Sequence, residues 1–425
     1  MNIRLYNARL LTFEKDEEIT AGELWTQDGA ILLAGDPAGR CPPVFDREID
    51  ARGGVILPGF KNAHTHSAMT FLRGSAEDLP LQSWLEKTVF PAEARLTPEE
   101  AACFMRLAIL EYLAGGVTAC FDMYLFPREM ARAAVEMGFR TVLCGQVNDF
   151  TSSPAQMEEE YCELNRFHPL VSYQLGFHAE YTTGKERLLQ IAALAQKYKA
   201  PVYTHLSETQ KETADCIART GKTPLAYLDG MGMFEYGGGV FHGVYLSSED
   251  IEICRKKGIG VVSNPASNAK LASGIAPLAA LEHAGVTLGL GTDGAASNDR
   301  LDMFREIYLA AVLQKLRQKD AAALQAGKVL RMAAAGGAKI MRLDGCDALR
   351  PGNKADVVLI DFDAPNLCSA LSPQQALVYS AGRWNVRLTM IDGRILYEDG
   401  CYAKEIDAAA ICREAGKAAK RLMKS

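Results

Sequence analysis

Two histidines separated by one residue, His64-Thr65-His66, end the stretch VILPGFKNAHTH that starts at Val55. In an extended chain, side chains two residues apart point to the same side. Both imidazoles can therefore reach one point beyond a strand end, which is how a metal site begins. A catalytic zinc needs at least a third protein ligand and an open position for water. A His-x-His pair also arises by chance on polar loops, and the pair alone leaves both readings open. The chain has seven histidines, at 64, 66, 168, 178, 205, 242 and 283. Those at 64, 66, 178, 205 and 242 fall at or just after segments expected to be strands, and another such segment ends in Gly291-Thr292-Asp293-Gly294. Three imidazoles and a carboxylate suit a divalent ion with an open water position. His64, His66 and His205 are the expected ligands, with Asp293 as the carboxylate. An ion so held lowers the pKa of its water from about 15.7 to about 7, and Asp293 can accept the released proton.

Glu208 follows His205 by three residues, in Thr204-His205-Leu206-Ser207-Glu208. A carboxyl beside the ion suits carrying a proton from water to a leaving nitrogen. It equally suits helix capping, with Ser207 as the cap and Glu208 and Glu212 in a first helical turn. The histidine array beside it favours the first reading. His168 precedes a proline in a connection and His283 lies in a helix; both are read as structural.

What must position these residues is an alternation of strand and helix. Strands are expected over 55–62, 117–123, 140–147, 171–177, 201–206, 239–245, 258–263 and 286–292. Helical segments follow them, among them Pro98–Ala114, Lys185–Tyr198 and 301–316. Eight such units predict an α/β fold with a (β/α)8 TIM-like barrel, whose strand ends all open onto one face. Residues 1–54 read as short strands with a hairpin at Asp28-Gly29, too few to bury a core alone. After Arg350-Pro351-Gly352 the alternation stops, and strands over 355–361 and 386–391 precede a second hairpin at Asp392-Gly393. The expected organisation is a barrel over 55–350 with a small β-sandwich domain built from both chain ends, residues 1–54 and 351–425. Residues 405–423 have the pattern of an amphipathic helix.

A sequence of 425 residues suffices for a barrel plus a smaller module, and 48% apolar residues supply the core. The net charge of -6, without a basic run, argues against nucleic acid as a partner. No apolar run approaches the ~18 residues of a membrane span, and the first residues lack the pattern of a secretory leader. The 11 cysteines include no Cys-x-x-Cys pair, against both a thiolate zinc site and a disulfide framework. The expected compartment is the reducing cytoplasm, with most cysteines serving as small apolar residues.

Longer motifs carry a resemblance. They are His64-Thr65-His66-Ser67-Ala68-Met69-Thr70-Phe71-Leu72-Arg73-Gly74, Glu77-Asp78-Leu79 with Trp84-Leu85, and His205-Leu206-Ser207-Glu208-Thr209. Asn264-Pro265-Ala266-Ser267-Asn268 and Gly291-Thr292-Asp293-Gly294-Ala295-Ala296-Ser297-Asn298 complete the set. With them the chain resembles, over nearly its whole length, the amidohydrolase superfamily in its branch of aminohydrolases acting on adenine nucleosides. The likeness is greatest to the 5-methylthioadenosine/S-adenosylhomocysteine deaminase group.

The resemblance implies roles. His64, His66, His205 and Asp293 match metal ligands, and Glu208 and His242 match residues that move a proton and orient water. Trp84 matches a wall of the nucleoside pocket, Glu93 a carboxylate that binds ribose hydroxyls, and His178 and Ser297 further substrate contacts. Two-metal relatives carry a lysine on the fourth strand; residues 171–178, VSYQLGFH, have none, so one divalent ion is expected. Zinc is the first choice, and iron or manganese accept the same donors. The chain departs from the group in two places. No arginine occurs between Arg140 and Arg166, where relatives hold the carboxylate of S-adenosylhomocysteine, and Phe177-His178-Ala179-Glu180 replaces a Pro-His-Ser-Pro form.

The expected activity is hydrolytic deamination of an adenine nucleoside (5-methylthioadenosine, S-adenosylhomocysteine, 5′-deoxyadenosine or adenosine) to an inosine-type product and ammonia. Guanine or 8-oxopurine deamination and triazine dechlorination on the same barrel are the alternatives, followed by a non-catalytic scaffold role. The expected partner is a small nucleoside or purine-like molecule, and a homo-oligomer is left open.

Overall fold

The computed structural model describes residues 1–75 and 85–423. In chain order the first strands are β1 (Ile3–Leu11), β2 (Ile19–Gln27), β3 (Ala30–Gly35), β4 (Arg47–Asp50) and β5 (Val55–Pro58). Eight more follow: β6 (Phe60–Thr65), β7 (Val117–Asp122), β8 (Arg140–Cys144), β9 (Val171–Ala179), β10 (Val202–Leu206), β11 (Gly238–His242), β12 (Ile259–Ser263) and β13 (Leu288–Leu290). The last are β14 (Val357–Ile360), β15 (Val386–Ile391), β16 (Arg394–Glu398) and β17 (Cys401–Tyr402). β6 to β13 pair in sequence order as a parallel ladder, and the other nine form a second sheet drawn from both ends of the chain. The two sheets are the barrel and the small β module of the sequence reading.

The strand expected over 55–62 is two strands. Val55–Pro58 pairs with β1 and β14 in the small sheet, while Phe60–Thr65 pairs with β7 and opens the barrel. All ten of these residues are buried, although β5 is wholly apolar and β6 carries Lys61, Asn62, His64 and Thr65. Burial does not divide them; pairing does, at Gly59. β14 is likewise buried on both faces: Val357 and Leu359 join the core of the small sheet, and Val358 and Ile360 join that of the barrel. A strand covered on both sides loses the apolar–polar alternation.

Local chemistry sets the helix starts. Thr97 caps the helix Pro98–Ala114, its hydroxyl accepting from Glu100 N–H while the Glu100 carboxylate accepts from Thr97 N–H. Pro98 at the first helical position lacks an N–H that would be unpaired there anyway. Both hairpins form as expected, with Asp28, Gly29, Asp392 and Gly393 all at positive φ, as two-residue turns of this hand require. The helix Ala408–Met423 ends on the helix Pro98–Ala114, where Arg421 pairs with Glu100.

The barrel interior is filled. Phe121, Tyr203 and Phe241 form an aromatic layer, with ring centroids 4.7 and 5.6 Å from Phe121, and Ile340 and Met341 plug the end remote from the strand termini. Between β13 and β6 the seam is bridged by a side chain. Asn62 Oδ1 accepts from Thr292 N–H at 2.8 Å, and its Nδ2 donates to Thr292 Oγ1 at 2.7 Å. One residue on, Asp293 N–H donates to His64 C=O at 3.0 Å. Gly291 allows this approach, because a Cβ there would stand 2.6 Å from the His64 carbonyl oxygen. The barrel is fastened to the small sheet by a buried bidentate pair, Arg140 with Asp356, at 2.6 and 3.0 Å. No helix among the described residues is long and apolar enough to cross a membrane.

Candidate active site

At the C-terminal ends of the barrel strands, His64 and His66 from β6, His205 from β10 and Asp293 just beyond β13 converge. Their ligand atoms all lie within 4.8 Å of one another. His64 is stacked on Phe241 with centroids 3.8 Å apart, so this group rests directly on the aromatic layer below.

The hydrogen bonds fix which nitrogen points inward. His66 Nδ1 lies 2.6 Å from the Met123 carbonyl and His205 Nδ1 2.7 Å from the His178 carbonyl. A carbonyl only accepts, so each Nδ1 carries the proton and each Nε2 presents a lone pair. Those two Nε2 atoms stand 3.3 Å apart. Both nitrogens of His64 are buried without a partner. Leaving a buried polar group unpaired costs about 1–3 kcal/mol, and two facing lone pairs repel. A cation among them removes the clash and satisfies His64 Nε2, so the donor set fits a divalent ion. Burial lowers His64 to about 3 and holds His205 well below its usual value, which keeps both in the neutral form that ligates.

Asp293 divides its oxygens. Oδ1 faces His66 Nε2 at 3.2 Å and His64 Nε2 at 3.5 Å, and Oδ2 accepts from Ser267 Oγ at 2.6 Å and Ser297 Oγ at 2.8 Å. Hydrogen-bonding partners behind a ligand orient it toward its metal. Ser207, His242 and Asp293 have φ of +51°, +70° and +58° at or just after strand ends. Such strain in residues other than glycine collects at functional sites.

His242 Nδ1 lies 2.8 Å from Asn268 Oδ1 and 3.3 Å from Asn264 Nδ2, and its Nε2 stands 3.9 Å from Glu208 Oε2. Burial raises the Glu208 carboxyl above its usual value, toward the protonated form an acid catalyst needs. Glu208 is not in a helix. The helix is Gln210–Thr220 and its cap is Thr209, so the capping role suggested for Ser207 falls two residues later.

A cavity of about 420 Å3 opens over the group, within the size range of small-molecule sites. His66, His178, His205, Glu208, His242, Asp293 and Ser297 line its inner part. Val89, Phe90, Leu125, Phe150 and Tyr181 line it as well, and among the described residues it has no lysine or arginine in its wall. Glu93 reaches the same cavity from the short helix Phe90–Glu93, and burial raises its carboxyl to about 7. Trp84 lies outside the described residues. Nine of the ten residues singled out in the sequence thus surround one point. Ser267, Asn268 and Glu212 escaped notice as supports. The first two stand in the Asn264–Asn268 motif, but only folding shows that they face Asp293 and His242.

The sequence matches the profile of the amidohydrolase family over residues 55–396. It is 40% identical over 412 residues to a 5-methylthioadenosine/S-adenosylhomocysteine deaminase of Desulforudis audaxviator, covering 95% of each chain. It is 38% identical over 431 residues to a 5′-deoxyadenosine deaminase of Methanosarcina mazei, covering 99% of this chain and 98% of that one. Its fold matches the crystal structure of an adenosine deaminase from Xanthomonas campestris with bound zinc, at a TM-score of 0.94 and 32% identity, covering 100% of this chain and 98% of that one.

Proposed function

Because the chain belongs to the amidohydrolase family, we propose that it is a hydrolase that removes the 6-amino group of an adenine nucleoside as ammonia. One observation carries this reading: Glu208 and His242 face the His64, His66, His205 and Asp293 group across one buried cavity. A single divalent ion, zinc by preference, would be held by those four residues and would supply hydroxide at neutral pH by lowering the pKa of water from ~15.7 to ~7.

The chain's own residues do the rest. Asp293 Oδ1 accepts a proton from the attacking water, its other oxygen being fixed by the two serines. His242 Nε2 accepts a hydrogen bond from the same water and so aims it at C6. Glu208 donates its proton to ring N1 as the C6–O bond forms, and the amino group leaves with a proton returned through the same carboxyl. The apolar side chains of Val89, Phe90, Leu125 and Phe150 border the space above these groups. His178 and Ser297, which line the cavity, would touch the substrate.

The test is an ammonia-release screen across adenosine, 5′-deoxyadenosine, 5-methylthioadenosine, S-adenosylhomocysteine, guanine and 8-oxoguanine. Turnover confined to the last two, or none at all, would overturn the reading. Within the adenine series an uncharged 5′ group is expected to be preferred. Among the described residues, Arg187 pins the loop after β8 by donating to the carbonyls of Asn148 and Ser152 at 2.6 and 2.5 Å. A charge-assisted hydrogen bond contributes about 1.5–3 kcal/mol, so its absence should disfavour S-adenosylhomocysteine against 5-methylthioadenosine by about tenfold or more in kcat/KM. The opposite ranking would mean that another cation holds the carboxylate.

Glu93 separates nucleoside from free-base chemistry. An ionised carboxylate can accept from two adjacent ribose hydroxyls. Glu93→Ala is expected to lose about 1.5–3 kcal/mol of kcat/KM on nucleosides and little on a free base. With its carboxyl raised to about 7, Glu93 takes up a proton as pH falls below that value and gives up acceptor capacity. KM for the nucleoside should therefore rise toward acid pH in the wild type and not in Glu93→Ala. Identical pH profiles in the two proteins would return Glu93 to a passive wall.

A further inference from the structure

The turn that carries Glu208 is held by a carboxylate that does not line the substrate cavity. Glu212 Oε1 accepts from Ser207 N–H at 2.7 Å, and its Oε2 accepts from Glu208 N–H at 2.8 Å and Thr209 N–H at 3.4 Å. Glu212 is also the third residue of the helix capped by Thr209, so a capping box could account for it. The distances say otherwise. In a capping box the acid serves the cap N–H, and here that bond is the longest of the three.

Two other boxes in the chain show the ordinary pattern. Glu100 accepts from the Thr97 cap at 3.2 Å and Asp250 from the Ser247 cap at 3.0 Å. Among the described residues neither accepts a backbone N–H from upstream of its cap. Glu212 alone extends its carboxylate past the helix into the strand end, and it is buried there.

The turn needs such a restraint. Ser207 is left-handed at φ +51°, a conformation that side chains other than glycine adopt at a cost of roughly 1–2 kcal/mol. Its C=O accepts from Tyr245 N–H at 2.9 Å, and Leu206 C=O accepts from Gly243 N–H at 3.1 Å. The same turn is thereby tied to the segment that follows His242. Glu212 supplies the other side of this clamp, so the spacing of Glu208 from His242 is set by backbone bonds that converge on Ser207.

We infer that Glu212 is a positioning residue for the proton transfer: it fixes the Ser207–Glu208 backbone so that Glu208 meets the ring nitrogen. The inference rests on Glu208 being the proton carrier. An aspartate at 212 keeps the charge and, as Asp250 demonstrates, can still serve a cap, but it is one methylene too short for the upstream N–H groups.

The experiment compares Glu212→Asp, Glu212→Gln and Thr209→Ala with the parent, measuring kcat, KM, bound metal and Tm. Glu212→Asp and Glu212→Gln are expected to lose about 10- to 100-fold in kcat, the scale of a misplaced catalytic group, with KM within about twofold and metal retained. Thr209→Ala, which loses the cap and keeps the carboxylate, should retain kcat within about twofold even where its Tm falls. In a Glu208→Gln background, Glu212→Asp should lower kcat no further. Full turnover by Glu212→Asp, or an equal added loss in the Glu208→Gln background, would overturn the inference, since independent damage to the fold adds. Should Glu212→Gln fail to fold, Glu212→Asp decides alone. Normal turnover by Glu208→Gln would remove the shuttle reading itself, whereas a dead Glu208→Gln beside a fully active Glu212→Asp would remove only this one.

Discussion

Glu208→Gln is expected to keep its fold and its metal while kcat falls by about 100-fold or more, the scale of general acid–base catalysis. The substitution keeps shape and removes the proton. Glu208 is held by its backbone, through Glu212, so the glutamine should occupy the same place. Its only side-chain partners among the described residues are Ser273 Oγ at 3.5 Å and His242 Nε2 at 3.9 Å, both loose enough to accept an amide. Little stability should therefore be lost. The acid is needed because ring N1 must gain a proton before the amino group can leave. A buried carboxyl raised above its usual value is protonated for a larger share of the time. Stopped assays of ammonia release, with elemental analysis of the same preparation, check both halves. Near-normal turnover would make Glu208 a bystander.

The double variant His64→Ala/His205→Ala is expected to lose both the ion and the activity. The wild type should carry about one equivalent of divalent metal per chain. Among the described residues the structure offers one such donor group, His64, His66, His205 and Asp293. Two imidazoles removed leave His66 and Asp293, which is too few for a closed first coordination sphere. The expected content is near zero and turnover falls to background. Removing His64 also empties space above Phe241, so Tm should drop in addition to the loss of metal stabilisation. Undiminished metal in the double variant, or two tightly bound equivalents in the wild type, would sink the assignment of these ligands.

The barrel was legible because its code is local. Strand and helix periods repeat, and the helices Pro98–Ala114 and Lys185–Tyr198 begin and end where a cap, a proline or a change of pattern says they should. The metal-type residues were legible because barrel strand ends share one face, so position in a strand stands in for position in space. What failed was whatever depends on which strand lies beside which. Val55–Pro58 belongs to the small sheet and Phe60–Thr65 to the barrel, and both are wholly buried, so burial gives no sign of the division. Ser267 and Ser297 meet on one oxygen of Asp293 from two different loops. Ser297 was expected at the substrate, and it lines the cavity while also steadying the carboxylate. Glu212 has the sequence pattern of an ordinary first-turn acid, because distance to the cap, which distinguishes it, has no trace in sequence.

The seam between β13 and β6 has a consequence in time. Asn62 and Thr292, which bridge it, are 230 residues apart in the chain. A ribosome working at ~5–20 residues per second takes on the order of ten to fifty seconds to cover that distance. Through that interval His64 and His66 exist without Asp293, and the first strand has no neighbour on one edge. Contacts this distant in sequence form late and slowly. The same stitch that closes the barrel brings Asp293 to the histidines, since Thr292 and Asp293 are adjacent and Asp293 N–H donates to His64 C=O. On the proposed ligand set, metal capture is expected only at the end of barrel synthesis. A nascent chain halted before Thr292 emerges would lack Asp293 beside the histidines and is expected to retain the ion less tightly than the closed molecule.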